Sequence, residues 1–267
     1  MSEKPAHLAP RYAAQFADRA VVAAYRARPP YPQEVFDRLE SLLPARNARV
    51  LELGCGSGDL TLGLAPRVGE LDAVDVSAPM LEAARARAGA RHPNVRFVHS
   101  SAEAFEPRAK YALAVAAESL HWMDWDLVLP CVASWLEPGG VLAIVDGRIL
   151  EPPPWQAELA RLVATHSTNR DFKPVDLVAE LEQRGLFREL GRCRTQSIAL
   201  EQNVDDYVES FHSRNGFSRE RMSAASAAAF DAGVRAAVAP HAVAGHIRAR
   251  YSALVVWGAP SGVVQGR

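Results

Sequence analysis

The sequence predicts an α/β protein built on a doubly wound, mainly parallel sheet of seven strands, with an antiparallel edge strand and a helical cap. Three observations carry that prediction. Between Arg49 and Val145 short apolar runs alternate with helical stretches, the rhythm of strand–helix–strand units with helices on both faces of a sheet. Early in that stretch a strand runs directly into three glycines and then a helix, Val50-Leu51-Glu52-Leu53-Gly54-Cys55-Gly56-Ser57-Gly58-Asp59. After Val145 the rhythm breaks, leaving four helical patterns and only two strand-like runs. Two late strands with no full crossover between them pair antiparallel at a sheet edge.

Taken in order, residues 1–10 are polar, contain prolines and are expected to be a loose tail. Helical patterns follow at about 12–25 and 32–43, separated by Arg28-Pro29-Pro30-Tyr31-Pro32, where prolines force an extended elbow. Val50–Leu53 is the first strand and Leu71–Asp75 the second. Ser77 then caps a helix to about Ala88, with Met80, Leu81 and Ala84 on one face. Val95–His99, Leu113–Ala116 and Val141–Val145 are three more strands, the last preceded by the turn signal Leu136-Glu137-Pro138-Gly139-Gly140. Helices are expected at about 154–168, 174–184, 204–213 and 219–238, and strands at about 187–198 and 247–257. This organisation divides the chain into an N-terminal flap (1–45), a core (46–147) and a cap with the last two strands (148–267).

With 49% hydrophobic residues and 23% charged, the chain can bury one substantial core. A net charge of −1 supplies no global basic field, which argues against nucleic acid as the main partner. Cys55, Cys131 and Cys193 are scattered and odd in number, as expected for reduced thiols in a cytoplasmic protein and not for a disulfide framework. The N-terminus lacks the apolar stretch of a secretory signal. No run approaches the length of a membrane span, and no cluster shows metal-ligand spacing.

The glycine loop is the strongest motif. Glycine lets the backbone turn sharply and approach a ligand closely, and the following helix start presents unpaired N–H groups. A dinucleotide fold would want G-x-G-x-x-G. Starting from Gly54 that pattern requires glycine at Asp59, and starting from Gly56 it requires glycine at Thr61. Both registers fail. Asp75 ends the second strand at the edge where open α/β sheets bind ligands, and its carboxylate suits a ribose diol.

ELGCGSG, AVDVSAPMLEAARAR, SSAEAF, SLHWMDW and LEPGG together resemble the class I S-adenosylmethionine-dependent methyltransferases, a Rossmann-like family. The resemblance is strongest to the small-molecule group that includes trans-aconitate and ubiquinone-pathway enzymes, and it covers roughly residues 12–145. It implies that S-adenosyl-L-methionine is the cofactor and S-adenosyl-L-homocysteine the product. The glycine loop at Gly54, Gly56 and Gly58 would lie against the methionine portion, with Cys55 in the loop and Ala117 at the end of the fourth strand also meeting the cofactor. Asp75 and Val76 would meet the ribose, and Met80 the adenine. Ser101-Ala102-Glu103 matches a segment that usually reads Asp-Ala-Glu. A serine hydroxyl here replaces an aspartate, and the charge-assisted strength of its contact to the adenine amino group is lost. The elbow resembles the family's N-terminal cover, in which Tyr25 would close the site and Arg28 would pair with the methionine carboxylate.

The reaction implied is an in-line displacement that needs an aligned acceptor and a dry site. His121 is the candidate base, since a histidine titrates near neutrality, and Glu118 is a second candidate facing the acceptor. Trp122, Trp155, Phe211 and Arg214 are candidates for contacting a small-molecule acceptor, with His166, His212 and Asn215 nearby in the cap pattern. Two other readings stand beside this one: a catalytically silent nucleoside-binding protein of the same fold, and a nucleic-acid or protein methyltransferase, which lacks support from an NPPY-like motif. The acceptor, whether it is an O-, N- or C-nucleophile, and the oligomeric state are not legible.

Overall fold

The computed structural model describes residues 4–261. The N-terminal stretch is more ordered than its composition suggests. Ala6–Leu8 forms a 3-10 turn that buries His7 and Leu8, and Leu8 joins the main core. Residues 1–3 of the expected tail lie outside the described residues. Short helices α1 (Pro10–Ala13) and α2 (Arg19–Ala24), with 3-10 turns after each, replace the single helix expected at 12–25. The elbow is extended as expected, with Arg28 at φ −69° and ψ 142°, and α3 (Gln33–Ser41) follows it.

The core then runs β1 (Arg49–Leu53), α4 (Asp59–Leu64), β2 (Glu70–Asp75), α5 (Ala78–Ala88), β3 (Val95–His99), β4 (Tyr111–Ala117), α6 (Trp125–Trp135) and β5 (Leu136–Leu150). Capping follows the sequence signals: Ser77 Oγ accepts from the Met80 N–H that opens α5, and Asp124 accepts from the Asp126 and Leu127 N–H groups that open α6. The expected turn at Leu136–Gly140 is instead the irregular start of β5, where the register against β4 shifts between Tyr111 and Leu113. The strand also passes without a break through residue 147, the expected end of the core.

The remaining elements are α7 (Gln156–His166), α8 (Leu177–Gln183), β6 (Phe187–Arg194), β7 (Ile198–Asn203), α9 (Val204–His212), α10 (Ala224–Val238) and β8 (His246–Pro260). The sheet therefore has eight strands, in the order β3-β2-β1-β4-β5-β8-β6, with β7 also paired to β8. The first five strands are mutually parallel, and β8 is antiparallel to each of its neighbours. The run expected as one strand at 187–198 is two because Thr195 interrupts it. Thr195 Oγ1 accepts from the Ala253 N–H, and the chain re-enters pairing at Ile198 opposite Tyr251.

Period-two alternation sets the two faces of the sheet. Leu51, Leu53, Ala114, Ala116 and Ile144 pack with α6 and α8 on one side. Val50, Leu113, Val115, Ala143 and Val145 pack with α3 and α4 on the other. A separate apolar cluster, including Trp155, Phe211, Phe217 and Phe230, holds α7, α9 and α10 together. Among the described residues no helix is long and apolar enough to cross a membrane. Strand order reverses at β1, whose neighbours are β2 and β4. That is the switch point where open α/β sheets form a ligand crevice beyond the strand ends.

Candidate functional site

The ends of β1, β2 and β4 border a cavity of about 240 Å³ at that crevice. Its floor is the glycine loop. Gly54, Gly56 and Gly58 have φ of +75°, +53° and +86°, the left-handed region that favours glycine. A Cβ on Gly54 would stand 2.4 Å from the Ser119 Cβ, so the first glycine is demanded by close approach as well as by conformation. Ser119 in turn donates to the Leu53 carbonyl at 2.6 Å, tying the turn after β4 to the loop after β1.

Asp75 is half-buried at the end of β2 and organises the loop. One carboxylate oxygen accepts from Gly56 N–H at 2.7 Å and the other from Ser77 N–H at 2.8 Å. Burial pushes its pKa above the usual carboxylate value, against the pull of those two N–H groups. Each oxygen keeps a further lone pair for a ligand. Cys55, Val76, Met80, Ser101, Ala102, Glu103 and Ala117 all line the same cavity. Two of them are partly committed elsewhere: Ser101 Oγ accepts from Ala104 N–H at 3.2 Å, and Glu103 accepts from Asp124 N–H at 2.9 Å. The Ser101 hydroxyl proton remains available for donation. Cys55 is buried and its thiol pKa is raised by desolvation, and all three cysteines are free. Among the described residues no group of three or more His, Cys, Asp or Glu is placed to hold a metal ion.

The roof is the N-terminal flap. Tyr25 lies 3.5 Å from where a Cβ of Gly56 would be, and the Arg28 guanidinium stacks over the Tyr25 ring at 4.0 Å. Arg28 is already engaged: it donates to Ser213 Oγ at 2.8 Å, to the Ser213 carbonyl at 2.6 Å and to Glu118 at 3.3 Å. It therefore latches flap to cap as well as facing the cavity.

Glu118, just past β4, has φ +52°, a strained setting for a residue with a side chain. Arg148 at 2.5 Å and Arg28 at 3.3 Å hold its carboxylate. Burial would raise its pKa, but the two guanidiniums win and it is lowered, so Glu118 is an anion and not a proton carrier at neutral pH. His121 does not line the cavity floored by the glycine loop. It lines the cavities on either side of Glu118, and burial pushes its pKa down to about 4, leaving a neutral, weakly basic ring. Trp122 lines both the first cavity and an adjoining one of about 320 Å³.

The cap residues divide. Arg214 and Asn215 line the adjoining cavity. Trp155 and Phe211 do not: Trp155 is buried and donates to the Tyr207 hydroxyl at 3.0 Å, and Phe211 packs edge-on against Tyr207 and Phe230. Both are core of the cap, with Phe211 also supporting the Arg214 guanidinium at 4.3 Å. His212 is fully buried between the Phe217 carbonyl and Asp231, and His166 pairs with Ser226.

Sequence reasoning missed Phe16, Tyr31, Glu52 and Arg148, all of which line the first cavity. Arg148 is the most consequential. It donates to Asp59 at 2.8 Å, Glu118 and the Pro29 carbonyl at 2.7 Å, and stacks over Tyr31 at 4.3 Å. Its signal was available, since it follows the predicted end of β5 by three residues, on the ligand-binding edge. Glu52 is buried with one partner, Thr61 at 2.6 Å, and desolvation raises its pKa to about 8.

The methyltransferase domain model matches residues 50–140, the stretch that builds this loop and these strand ends. An uncharacterised methyltransferase of Mycobacterium tuberculosis (strain H37Rv) is 36% identical over 156 residues, 58% of this chain and 60% of that protein. A trans-aconitate 2-methyltransferase of Methylobacterium nodulans is 31% identical over 155 residues, 52% of this chain and 58% of that one. The matches thus span about 60% of the length of these curated relatives. The solved structure of a candidate type II methyltransferase from Anaeromyxobacter dehalogenans aligns with a TM-score of 0.63 at 27% identity, covering 88% of this chain and 98% of that one.

Proposed function

We propose that this chain is a class I S-adenosylmethionine-dependent methyltransferase, as its similarities support, and that it transfers a methyl group from S-adenosyl-L-methionine to a small-molecule acceptor. One observation carries the reading. At the switch point of the sheet, a loop of three left-handed glycines is bridged to a half-buried strand-end carboxylate through Gly56 N–H and Asp75, and a cavity opens over both.

The residues present fit such a cofactor. Asp75 has lone pairs left for a ribose diol, the wall of Val76, Met80 and Ala102 suits a flat base, and Ser101 can donate to it. Gly54, Cys55, Gly56 and Ala117 border the other end, where Tyr25 and Arg28 close the roof. When bound, the cofactor supplies an electrophilic methyl group, so the chain's own task is alignment and exclusion of water. Phe16, Tyr25 and Trp122 line both cavities. Glu118 is held as an anion and His121 is neutral with a weak lone pair, which makes orientation the larger contribution here and proton removal the smaller. On this reading the glycine loop and Asp75 serve the cofactor, and acceptor specificity resides in the cap and the N-terminal flap.

The test is formation of S-adenosylhomocysteine by the full chain with a panel of hydroxyl, amine, thiol and carboxylate acceptors. Acceptor-dependent turnover supports the proposal. Cofactor binding with no turnover on any class would favour the silent nucleoside-binding reading.

A further inference from the structure

The adjoining cavity brings three guanidiniums and one carboxylate to the same space: Arg28, Arg148, Arg214 and Glu118. Arg28 and Arg148 are each engaged by three hydrogen bonds, to Ser213 and Glu118 and to Asp59, Glu118 and the Pro29 carbonyl respectively. Arg214 differs. Its guanidinium makes no hydrogen bond or ion pair with any described residue, and its recorded partner is the face of Phe211 at 4.3 Å. The neighbours that could serve it are spent or neutral. Asn215 bonds Asn169 through its oxygen and the Tyr12 carbonyl through its nitrogen, Glu118 lies with the other two arginines, and His121 carries no charge at neutral pH.

A guanidinium does not lose its proton in a protein, and a desolvated one without a partner is costly. Here burial pulls the Arg214 pKa down, and repulsion from Arg28 and Arg148 works the same way against the opposing pull of Tyr207 and Glu118. The cavity therefore carries surplus positive charge on a planar donor fork whose geometry matches a carboxylate. Its other walls include the aromatic rings of Phe16, Trp122 and Tyr251, suited to an apolar or planar body.

Building on the methyltransferase reading, we propose that the adjoining cavity is the acceptor site and that it takes a small organic acid, whose carboxylate is anchored by Arg214. Phe211 stacks on the guanidinium at 4.3 Å, and α9 ends at His212, two residues before Arg214, so the anchor belongs to the cap while the cofactor residues sit at the strand ends. This accounts for a charge that the fold alone does not use.

The experiment separates the acceptor from the cofactor. Binding of 4-hydroxybenzoate and trans-cinnamate, with the corresponding amides as neutral matches and phenyl phosphate as a second anion, is measured on the full chain with and without S-adenosylhomocysteine. The same titrations are made on Arg214→Met and Arg214→Lys. The expected result is carboxylate binding that the amides lack, weakened at least tenfold in Arg214→Met, partly restored in Arg214→Lys, and unaccompanied by more than a twofold change in S-adenosylhomocysteine affinity. Arg214→Met should also melt at a higher temperature than the wild type, because a half-buried charge without an ionic partner has gone. Equal binding of acid and amide, tighter binding of phenyl phosphate than of either acid, or a loss of S-adenosylhomocysteine affinity in Arg214→Met matching the loss for the acids would each overturn the assignment. Failure of S-adenosylhomocysteine to bind the wild type sinks the methyltransferase reading by itself, while the Arg214-dependent difference between acid and amide still decides the anchor.

Discussion

Arg148→Met is the perturbation that most sharply tests how the roof of the site is held. The guanidinium makes three polar contacts, to Glu118, Asp59 and the Pro29 carbonyl, and stacks on Tyr31. Methionine keeps much of the aliphatic stem and loses all of these. Removing one partner of a buried ion pair typically costs about 3–5 kcal/mol, but neither carboxylate is left wholly alone. Glu118 keeps Arg28 at 3.3 Å, and Asp59 keeps Arg87 at 2.6 Å. That compensation places the electrostatic part near the bottom of the range, and loss of the stacked cation adds up to about 2 kcal/mol. The expected destabilisation is roughly 3–5 kcal/mol, read from the urea midpoint with an unchanged slope. Glu118→Gln alone should cost less, because its amide oxygen can still accept from a guanidinium. In the double variant the two effects should fall short of additive by about 1–2 kcal/mol. A cost below about 0.5 kcal/mol for Arg148→Met, or strict additivity with Glu118→Gln, would show that the network does not hold the flap against the sheet.

Other outcomes follow from the same geometry. Gly54→Ala should destabilise the fold by more than about 2 kcal/mol and abolish S-adenosylhomocysteine binding, because its Cβ meets Ser119 and its φ is +75°; near-native binding by calorimetry would contradict this. Glu52 has its pKa raised from 4.5 to about 8, so between those values the folded state holds a proton that the unfolded state has released, and stability is lost as pH rises through that window. Glu52→Gln should flatten the profile, removing up to about 1.4 kcal/mol per pH unit, and equal slopes for the two proteins in chemical denaturation would refute the burial argument. Since His121 is held at about 4, its titration should leave no inflection in kcat/KM between about pH 5.5 and 8. An inflection near 6.5 that vanishes in His121→Asn would restore it as a conventional base.

The parts of the site legible in the sequence are those whose signal is local. The glycine spacing, the strand-end Asp75 and the Ser77 cap each declare themselves within a few residues, and Gly54, Gly56 and Asp75 border one cavity, whose lining does not include Gly58. What escaped depends on distant pairing. Arg148 gains its meaning only when β5 sets it opposite Asp59 and Glu118, and Phe16 and Tyr31 only when the flap folds back over the sheet. Trp155 and Phe211 were misplaced for a different reason. An aromatic beside polar groups at a helix end looks the same whether it lines a pocket or packs the core of a cap, and burial decides which. The split of β6 from β7 hid in Thr195, whose side chain takes the Ala253 N–H that a strand residue's carbonyl would have accepted. Glu118 was noticed as a candidate, but the positive φ and paired arginines that make it an anchored anion are long-range facts.

The central claim is that the crevice between the glycine loop and Asp75 binds an S-adenosyl cofactor. Isothermal titration of the full chain with S-adenosylhomocysteine, NADH and adenosine, repeated on Asp75→Asn, tests it most directly. The substitution keeps the shape of the side chain while giving one of the two backbone N–H groups a donor to face, so a thermal melt of the unliganded variant controls for folding. The account predicts one S-adenosylhomocysteine per chain, no NADH binding, and an affinity lowered by about 1–3 kcal/mol in a folded Asp75→Asn, roughly 5- to 150-fold. Tight NADH binding without S-adenosylhomocysteine binding, or unchanged S-adenosylhomocysteine affinity in the folded variant, would contradict it.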